Sequence, residues 1–364
     1  MKTLFRGLIC LLLVICCHSA FSQKKSMSVI AYYAGDTAQM MQFDPLKMTH
    51  IIFSFCHLKG NRLSVDNRID TLRVQNLVAL KQKNPALKVL LSLGGWGGCE
   101  TCSAVFAEDS GRKEFASSVK EVNAFFNTDG IDLDWEYPTI EGYPGHLYSP
   151  QDKQNFTKLV KALRDSLGKK NEISFAAGGF QKYIDEAVDW KRVTPIVNRI
   201  NLMSYDLVSG FATTTGHHTP LYSSQQQKES TDNAVKALLK KGVPPSKIVI
   251  GAAFYGRVWE TVSSTNNGLY QAGKFKTSVR FKTLAESWGE DKGFVKYWDS
   301  VAKAPYLHNK DSAWFVTYDN HLSITEKVNY VIRKGLNGIM FWELSSDMET
   351  GGLLDAINKS KKAR

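Results

Sequence analysis

The chain has 364 residues and a formal net charge of +11, and this length suffices for one large barrel domain. A basic balance is typical of proteins that bind nucleic acids or anionic surfaces. Here the lysines are scattered along the chain, and no zinc-finger spacing or Gly-rich phosphate loop accompanies them. The composition therefore favours a soluble protein with a solvated basic tail over one that binds nucleic acid.

The first 22 residues have the features of a secretory signal peptide. Lys2 and Arg6 give a basic start, Leu8 to Cys17 form a short apolar core, and Ala20-Phe21-Ser22 suits cleavage before Gln23. The apolar core is too short to span a bilayer, so no stable membrane insertion is expected. A lipid anchor on a cysteine at the end of this core is the lesser alternative. The sequence thus predicts a secreted protein, extracellular or periplasmic, whose residues 23–364 form a single domain.

Apolar, strand-like runs recur along the rest of the chain and alternate with segments of helical periodicity. The eight predicted strands are Ser28–Tyr33, Thr49–Phe55, Lys88–Leu93, Gly130–Glu136, Glu172–Ala177, Arg199–Tyr205, Lys247–Tyr255 and Asn337–Trp342. The clearest helices between them are Thr71–Lys83, Arg112–Asn127, Ser149–Leu167, Thr231–Lys241 and Ile324–Lys334. Continuous apolar strands that alternate with helices predict a parallel sheet covered on both faces. Eight such units predict an α/β fold, the (β/α)8 TIM barrel, whose active site lies at the C-terminal ends of the strands.

Three cysteines remain after the predicted cleavage, and two of them lie in the loop after the third strand. Cys99 and Cys102 are spaced to close a small disulfide in an oxidising compartment. The alternative is a thioredoxin-like redox pair, which the Gly-rich surroundings disfavour. Cys56 follows the second strand and is expected to be a buried, unreactive thiol.

The fourth predicted strand carries the strongest functional signal. From Ile131 to Glu136, apolar and acidic residues alternate, which places Asp132, Asp134 and Glu136 on one face and the apolar side chains on the other. Three carboxyl groups so close together cannot all ionise freely, and at least one pKa should rise toward neutrality. A carboxylic acid that is still protonated near neutral pH is what general-acid catalysis requires.

Three other interpretations of this acidic strand are weaker. A solvated edge strand would not carry so apolar an opposite face. A calcium loop needs Gly and turn residues where this chain has Ile, Leu and Trp, so no metal is expected. A buried acidic cluster held by arginines is the third alternative, and it is the one that the sequence leaves open.

Other predicted strands also end in residues suited to binding a ligand by stacking and hydrogen bonding. The candidates at or near these ends are Tyr32, Phe55, Gly95, Trp96, Tyr137, Met203, Tyr205, Asp206, Tyr255, Arg257 and Trp342. The glycines before Trp96 allow the backbone to approach a ligand closely. Any single aromatic residue is more often part of a core, but aromatic or acidic residues at so many strand ends are harder to explain by packing alone.

About eighty residues separate the seventh predicted strand from the eighth, far more than one helix needs. Within this segment, residues from about 257 to 318 are rich in aromatic side chains, which is unlike a disordered loop. The sequence therefore predicts a small α+β insertion between strands 7 and 8 of the barrel.

The acidic strand resembles a known family. Asp129, Asp132, Asp134 and Glu136 have the DxxDxDxE spacing of the family 18 glycoside hydrolases, and DGIDLDWEYP resembles the chitinases among them. The strand-end residues extend this resemblance from about residue 28 to residue 345. The resemblance implies a chitinase that acts on chitin or chitooligosaccharides and uses no cofactor and no metal. A monomer is expected.

The resemblance also implies a role for each acid. It implies a retaining mechanism in which the substrate's own acetamido oxygen attacks the anomeric carbon. Glu136 is then the general acid and base, Asp134 polarises the acetamido N–H, and Asp132 supports Asp134. Tyr205 hydrogen-bonds the acetamido oxygen, whereas Asp129, which has the opposite strand parity, has a supporting role.

The remaining candidates are implied to line the substrate groove. Trp342 forms the floor under the central sugar ring, and Met203 and Asp206 line the acetamide pocket beside Tyr205. The further groove residues are Tyr32, Phe55, Gly95, Trp96, Tyr137, Tyr255 and Arg257.

Two other functions fit the same motif less well. An endo-β-N-acetylglucosaminidase acting on N-glycan cores would share the acids, but Trp-Glu-Tyr-Pro and the insertion favour chitin. A non-catalytic chitin-binding lectin of the same fold typically lacks the acid, whereas Glu136 is present here.

Overall fold

The computed structural model describes residues 27–362, so the predicted signal peptide lies outside the described residues. The strands are β1 (Ser28–Tyr33), β2 (His50–Lys59), β3 (Arg62–Ser64), β4 (Lys88–Gly94), β5 (Gly130–Asp134), β6 (Glu172–Gly178), β7 (Arg199–Met203), β8 (Ile248–Ala253), β9 (Tyr255–Glu260), β10 (Lys274–Arg280), β11 (Val295–Asp299), β12 (Ala304–Asn309), β13 (Trp314–Thr317) and β14 (Gly338–Trp342). The α-helices are α1 (Arg68–Ala79), α2 (Cys102–Ala107), α3 (Asp109–Phe126), α4 (Asp152–Leu167), α5 (Gln181–Glu186), α6 (Trp190–Val193), α7 (Thr231–Lys240), α8 (Phe281–Trp288), α9 (His321–Lys334) and α10 (Leu353–Lys362).

Eight parallel strands close into a barrel. The order around the barrel is β1, β14, β8, β7, β6, β5, β4 and β2, and pairing of β1 with β2 completes the circle. The short strand β3 is antiparallel to β2 and lies outside this circle. The predicted (β/α)8 TIM barrel is therefore confirmed, and each of the eight predicted strands contributes to it.

Three barrel strands end earlier than the sequence predicts. The pairing between β4 and β5 stops at Gly94 and Asp134, so Glu136 lies just beyond its strand. Similarly, β7 ends at Met203, before Tyr205, and β8 ends at Ala253. Glu136 and Tyr205 therefore project from segments that follow their strands, where hydrogen bonds between barrel strands no longer set their direction.

Two apolar layers enclose the barrel wall. The larger cluster lies between strands and helices and includes Ile131, Leu133 and Trp135 of the acidic segment. A smaller cluster lies inside the barrel and includes Ile30 and Met340. Because side chains alternate along a strand, this arrangement directs the carboxyl groups of the acidic strand into the barrel, as the alternation predicts.

The predicted insertion contains a five-stranded antiparallel sheet with the order β10, β9, β13, β12, β11. Its first strand begins at Tyr255, two residues before the expected start at 257, because the chain enters it almost directly from β8. Adjacent side chains of β9 lie on opposite faces of this sheet. Val258 packs with α8 on one face, and Trp259 belongs to a separate apolar cluster on the other. The aromatic residues of this segment thus form two small cores.

Local signals set the ends of α9, which connects the insertion to the last barrel strand. Asn320 accepts a hydrogen bond from the backbone N–H of Ser323, and the Ser323 hydroxyl accepts one from the N–H of Asn320. This reciprocal capping box satisfies two otherwise unpaired donors. The helix ends before Gly335, whose φ of 61° is readily adopted by glycine.

The structure contains a disulfide between Cys99 and Cys102, which is the first residue of α2. Cys56 is a free, buried thiol that lies within β2 rather than after it. Among residues 27–362, no helix has both the length and the apolar character needed to cross a membrane.

A thiol titration tests this assignment of the cysteines. A chain lacking residues 1–22, denatured without reductant, is expected to react with one equivalent of a thiol reagent, because only Cys56 is free. The native protein should react far more slowly, since burial raises the pKa of the Cys56 thiol and the thiolate is the reactive form. A Cys56→Ser variant should show no reactive thiol, and three equivalents in the parent protein would contradict the disulfide.

Candidate active site

Asp132 lies at the centre of a polar layer inside the barrel. Its side chain is fully buried and accepts hydrogen bonds from Tyr32 (2.9 Å), Ser92 (3.1 Å), Ser174 (2.6 Å) and Asn201 (3.0 Å). These four donors come from four different strands, β1, β4, β6 and β7. A buried carboxyl group requires such partners because it has lost its hydration, so the closed barrel is what fixes this side chain.

Burial raises the pKa of Asp132 even though the four donors act to lower it. The amide of Asn201 also donates to the hydroxyl of Tyr32 at 3.0 Å, which directs the tyrosine proton toward Asp132. Tyr32 was expected to line the groove, but it is buried and lies beneath Trp342, with ring centroids 6.1 Å apart. In the structure it therefore contacts the acid rather than an open surface.

Asp134 has a different environment from Asp132. It is also buried, but its Oδ1 atom finds no hydrogen-bond donor among the described residues. Burial, and then the charges of Glu136 and Asp132, raise its pKa well above the ordinary value. The side chain is thus a buried carboxyl group with an unsatisfied acceptor at the C-terminal end of β5.

Glu136 is half-buried just beyond the end of β5. Burial raises its pKa to about 7, and the charge of Asp206 acts in the same direction, whereas a hydrogen bond from Tyr137 opposes the shift. Near neutral pH this carboxyl group can therefore either donate or accept a proton, as a general acid and base must.

Asp206 is held as an anion by a group of donors. Tyr255 donates to it at 2.7 Å, Arg257 donates through Nε and Nη2 at 2.5 Å each, and His218 Nδ1 lies 3.4 Å away. Burial alone would raise the pKa of Asp206, but the hydrogen bonds and charges of Arg257 and His218 outweigh it and hold the pKa well below the ordinary range. A bidentate arginine pair of this kind fixes both charge and orientation.

Tyr205 lies between this anion and the barrel interior. Its ring meets that of Tyr255 edge to face at 6.2 Å, and its hydroxyl lies 3.9 Å from the sulfur of Met340. Met203, two residues earlier, is 9% exposed and belongs to the apolar cluster inside the barrel. The structure thus brings together Tyr205 and Asp206 beside the acid row, and Met203 packs beneath them.

Trp342 and Phe55 form a stacked pair, with ring centroids 5.5 Å apart and an interplanar angle of 15°. Gly95 makes room for this arrangement, because a Cβ at that position would lie 2.3 Å from the Phe55 ring. Its backbone N–H donates to the carbonyl of Asp134 at 2.9 Å. The glycine predicted as a close-approach position therefore allows contact between the aromatic floor and the acidic strand.

A second group of aromatic residues lies nearer the surface. Trp96 is 48% exposed and contacts the rings of Tyr143 at 5.5 Å, Phe211 at 6.4 Å and Tyr137 at 6.5 Å. Tyr137 packs more deeply, against Phe180. Tyr143 and Phe211 were not predicted from the sequence, although Phe211 is an aromatic residue in a Ser-Gly loop soon after Asp206, a signal that could have identified it.

Asp129 is separate from this constellation. It precedes β5, and it forms ion pairs with Lys81 at 2.6 Å and Lys88 at 3.1 Å. It also accepts the backbone N–H of Val89 at 2.8 Å. These contacts lie at the opposite end of the strand from Glu136.

Sequence reasoning missed the side chains that support the site rather than form its surface. Ser92, Ser174 and Asn201 hold Asp132, and His218 adjoins Asp206. Serine and asparagine within apolar strands are a detectable signal, since each buried polar group needs a partner. Within residues 27–362, no group of three or more His, Cys, Asp or Glu side chains is arranged to hold a metal ion.

The chemistry that these residues can perform follows from their unequal environments. Glu136 has a pKa near 7, Asp134 is buried beside it with a raised pKa, and Asp206 is fixed as an anion. Titratable neighbours whose environments push their pKa values apart are the usual source of acid and base assignments. With aromatic surfaces on either side, the site can bind a molecule that contains a ring, and Glu136 can transfer a proton to that molecule.

Comparisons with known proteins agree with this geometry. The profile of the glycosyl hydrolases family 18 matches residues 28–347. Chitinase A1 of Niallia circulans is 30% identical over 88% of this chain and 57% of its own length. Chitotriosidase-1 of Mus musculus is 33% identical over 84% of this chain and 68% of its own length. This chain therefore spans little more than half of the length of chitinase A1.

Solved structures show the same fold. A family 18 N-acetylglucosaminidase from Paenibacillus barengoltzii superposes with a TM-score of 0.84 and 36% sequence identity. The alignment covers 92% of this chain and 100% of that one. The similarity thus extends over the barrel and the insertion together.

Replacing Glu136 by Gln is expected to make the fold more stable at pH 8, relative to the parent protein, than it is at pH 4. The folded state raises the pKa of this carboxyl group from 4.5 to about 7, so its contribution to stability is present below pH 4.5 and is lost as the pH rises to 7. Gln has no such dependence, and the raised pKa corresponds to about 3 kcal/mol at most. Thermal unfolding between pH 4 and pH 9 should show the variant gaining on the parent protein as the pH rises.

Glu141→Gln is the matched control, since Glu141 is an exposed residue of the loop that follows. Its unfolding temperature should follow that of the parent protein at every pH. A difference in unfolding temperature between Glu136→Gln and the parent protein that stays constant from pH 4 to pH 9 would contradict the raised pKa.

Proposed function

Because this chain belongs to the family 18 glycosyl hydrolases, we propose that it is a chitinase that hydrolyses the β-1,4 bonds between N-acetylglucosamine units. The substrates are chitin or chitooligosaccharides. The observation that carries the proposal is the row of three carboxyl groups at one end of the barrel, which leads to Glu136 with a pKa of about 7. The names of the two relatives, chitinase A1 and chitotriosidase-1, support the substrate class.

In the proposed reaction, Glu136 donates its proton to the glycosidic oxygen as the bond to the anomeric carbon breaks. The carbonyl oxygen of the substrate's 2-acetamido group attacks the same carbon, which gives a cyclic oxazolinium intermediate. Glu136, now a carboxylate, removes a proton from water, and the water oxygen attacks the anomeric carbon and reopens the ring. Two displacements at one carbon retain its configuration, and family 18 is among the exceptions to the usual pair of carboxylates.

Asp134 is proposed to orient the acetamido N–H and to balance the positive charge that develops on it. Its buried Oδ1 atom, which lacks a donor among the described residues, supports this role. Asp132 shares a proton with Asp134, because like charges on one strand face cannot both ionise freely. The Asp134 anion that forms when this proton moves to Asp132 stabilises such charge more strongly in a buried site than in water.

The substrate's other contacts follow from the aromatic residues. Trp342 is proposed to lie under the sugar whose bond is cleaved, and Trp96 to stack on a sugar beyond it. Tyr205 donates to the acetamido oxygen, and Asp206, held by Arg257, borders the same pocket. Aromatic faces suit sugar rings because they cover the CH-rich side of the ring, while polar groups meet the hydroxyls.

A second candidate is release of single N-acetylglucosamine units from chain ends. It is favoured by the likeness to the Paenibacillus barengoltzii N-acetylglucosaminidase, the whole of which this chain matches at 36% identity. The two activities share the chemistry and differ in where the substrate is cut. Analysis of the first products from chitohexaose distinguishes them, since terminal cleavage gives the monosaccharide from the start.

We also propose that the protein is secreted. The basic and apolar pattern of residues 1–22 supports cleavage before Gln23. The disulfide between Cys99 and Cys102 supports an oxidising compartment, because such bonds are rare in proteins kept in the cytosol.

Glu136→Gln is expected to remove most turnover while leaving oligosaccharide binding largely intact. Gln keeps the shape of the side chain but cannot donate the proton, and general-acid help is worth about 10²–10⁴-fold in rate. Measurements of kcat on chitotetraose, with binding followed by calorimetry, check both parts. Glu141→Gln should keep the parent kcat, and a loss of less than tenfold in Glu136→Gln would assign the acid to another residue.

Fully deacetylated oligomers are expected to be essentially inert, even where they bind. Removal of the N-acetyl group removes the attacking oxygen but leaves the pyranose ring and the glycosidic bond unchanged. Product analysis of acetylated and deacetylated oligomers of the same length provides the comparison. A thiazoline that mimics the oxazolinium ring should inhibit, because it resembles the intermediate, and Asp134→Asn should slow cleavage of the acetylated substrate.

Two results would contradict substrate assistance. One is equal turnover of the deacetylated oligomer. The other is a sugar ester trapped on Asp132, Asp134 or Glu136, which would assign the nucleophile to the protein.

A further inference from the structure

A fully buried ion pair lies behind the site and takes no part in the chemistry described so far. Lys327 of α9 contacts Asp319 at 2.6 Å, and both side chains are 0% exposed. Removing two charges from water is costly, and a buried pair is therefore weak evidence of added stability. Its contacts suggest a different role, because each partner reaches a segment that precedes a residue of the proposed acetamide pocket.

Asp319 holds the end of β8. Its Oδ2 atom accepts the backbone N–H of Ala253 at 3.0 Å, and its Oδ1 atom accepts the hydroxyl of Ser323 at 2.6 Å. Ala253 is the last residue of β8 and lies two positions before Tyr255, which donates to Asp206. The carboxylate thus fixes the point from which Tyr255 projects.

Lys327 reaches the end of β7 through a threonine. Its ammonium group donates to the hydroxyl of Thr219 at 2.6 Å, and that hydroxyl lies 3.2 Å from the carbonyl of Ser204, to which it can donate. Ser204 immediately precedes Tyr205. The neighbouring carbonyl of His218 accepts the N–H of Leu207 at 3.0 Å, so residues 218 and 219 support residues 205 and 206 from both sides.

The ammonium group also decides where the Thr219 proton goes. The hydroxyl has one proton and two acceptors within reach, Ser204 at 3.2 Å and Asp319 at 3.4 Å. Because Lys327 at 2.6 Å and the N–H of Ala253 at 3.0 Å already donate to this Asp319 oxygen, the hydroxyl is left to donate to Ser204. Without the lysine, the negative carboxylate would be the stronger acceptor, and the contact with Ser204 would be lost.

We propose that Lys327, Asp319 and Thr219 are positioning residues that hold Tyr205, and Tyr255 that donates to Asp206, in place at the acetamide pocket. The proposal rests on the proposed function, since it assigns to Tyr205 the role of donor to the acetamido oxygen. The contacts run from one ion pair to the ends of two adjacent barrel strands, β7 and β8. The rings of Tyr205 and Tyr255, which each lie two residues beyond one of these strands, contact each other at 6.2 Å.

Thr219→Val is the most direct test, because it removes the hydroxyl with little change of shape and leaves the ion pair in place. Misplacement of a reacting group by about 1 Å can cost about 100-fold in rate. A loss of about tenfold in kcat is therefore expected, together with a similar rise in the inhibition constant of the thiazoline. KM should change less, since the aromatic floor at Trp342 is untouched. Thr219→Ser, which restores the hydroxyl, should recover most of the turnover, and Lys327→Met should behave like Thr219→Val.

Tyr330→Phe is the matched control for a purely structural effect. Tyr330 lies on the same helix, α9, and its buried hydroxyl donates to Asp232 of α7 at 2.9 Å, away from the site. The variant should unfold at a lower temperature but keep the parent kcat and inhibition constant. Assays are run well below the unfolding temperature of every variant, and Thr219→Ala replaces Thr219→Val if the latter does not fold.

The outcomes separate this proposal from the proposed function. If the parent protein cleaves acetylated chitotetraose and Thr219→Val keeps its kcat and inhibition constant, the positioning role is wrong and the function stands. The positioning role is also wrong if Tyr330→Phe loses as much turnover as Thr219→Val at a matched loss of stability. A parent protein that neither cleaves the oligomer nor binds the thiazoline overturns the function, and the positioning role with it.

Discussion

The burial of three carboxyl groups along one edge of the barrel is the constraint on which the rest of this structure depends. A carboxyl group without water needs hydrogen-bond donors or a proton, and the barrel supplies both in different places. Asp132 receives donors from four strands, which only a closed barrel can bring to one point. Burial raises the pKa of all three acids, and Asp134 and Glu136 receive fewer donors than Asp132 to oppose that rise. Along this one segment, the carboxyl groups thus change from Asp132, which has four hydrogen-bond donors, to Asp134, which has an acceptor without a donor among the described residues.

Asp206 lies across the site, and its pKa is shifted in the opposite direction from those of the three acids. Asp206 is surrounded by Arg257, Tyr255 and His218, which hold its pKa well below the ordinary range. Its charge in turn contributes to the raised pKa of Glu136. The pKa of Glu136 is therefore set partly by Asp206, which does not itself take up the proton. This effect depends on the fixed position of Asp206 relative to Glu136.

Much of the fold could be predicted from the sequence because its signals are local. The alternation along Ile131 to Glu136 correctly indicates which side chains enter the barrel, and the DxxDxDxE spacing correctly predicts the family, which is confirmed by the match over residues 28–347. Eight apolar runs predict eight strands for the same reason. Buried parallel strands leave a continuous hydrophobic trace that periodicity can detect.

What the sequence could not predict depends on contacts between distant segments. Lys327 occupies an ordinary position in an amphipathic helix, where lysine is normally solvated, and nothing nearby in the chain marks its pairing with Asp319. Tyr32 ends an apolar strand, and its burial under Trp342 is decided by a residue more than three hundred positions away. Non-prolyl cis peptide bonds such as Glu136–Tyr137 have no signal in residue type, in contrast to those at proline.

The origin of Arg257 has a consequence for how such enzymes can diversify. This arginine is the third residue of β9, the first strand of the inserted sheet, yet it neutralises an anion that belongs to the barrel. Replacing the insertion with that of a relative would therefore change the charge balance of the site as well as the shape of the groove. A transplanted insertion without a cation at this place would leave Asp206 uncompensated and would displace the working pH of the host barrel. An exchanged insertion is therefore expected to keep the charge balance of the site only if it carries a cation at the position of Arg257.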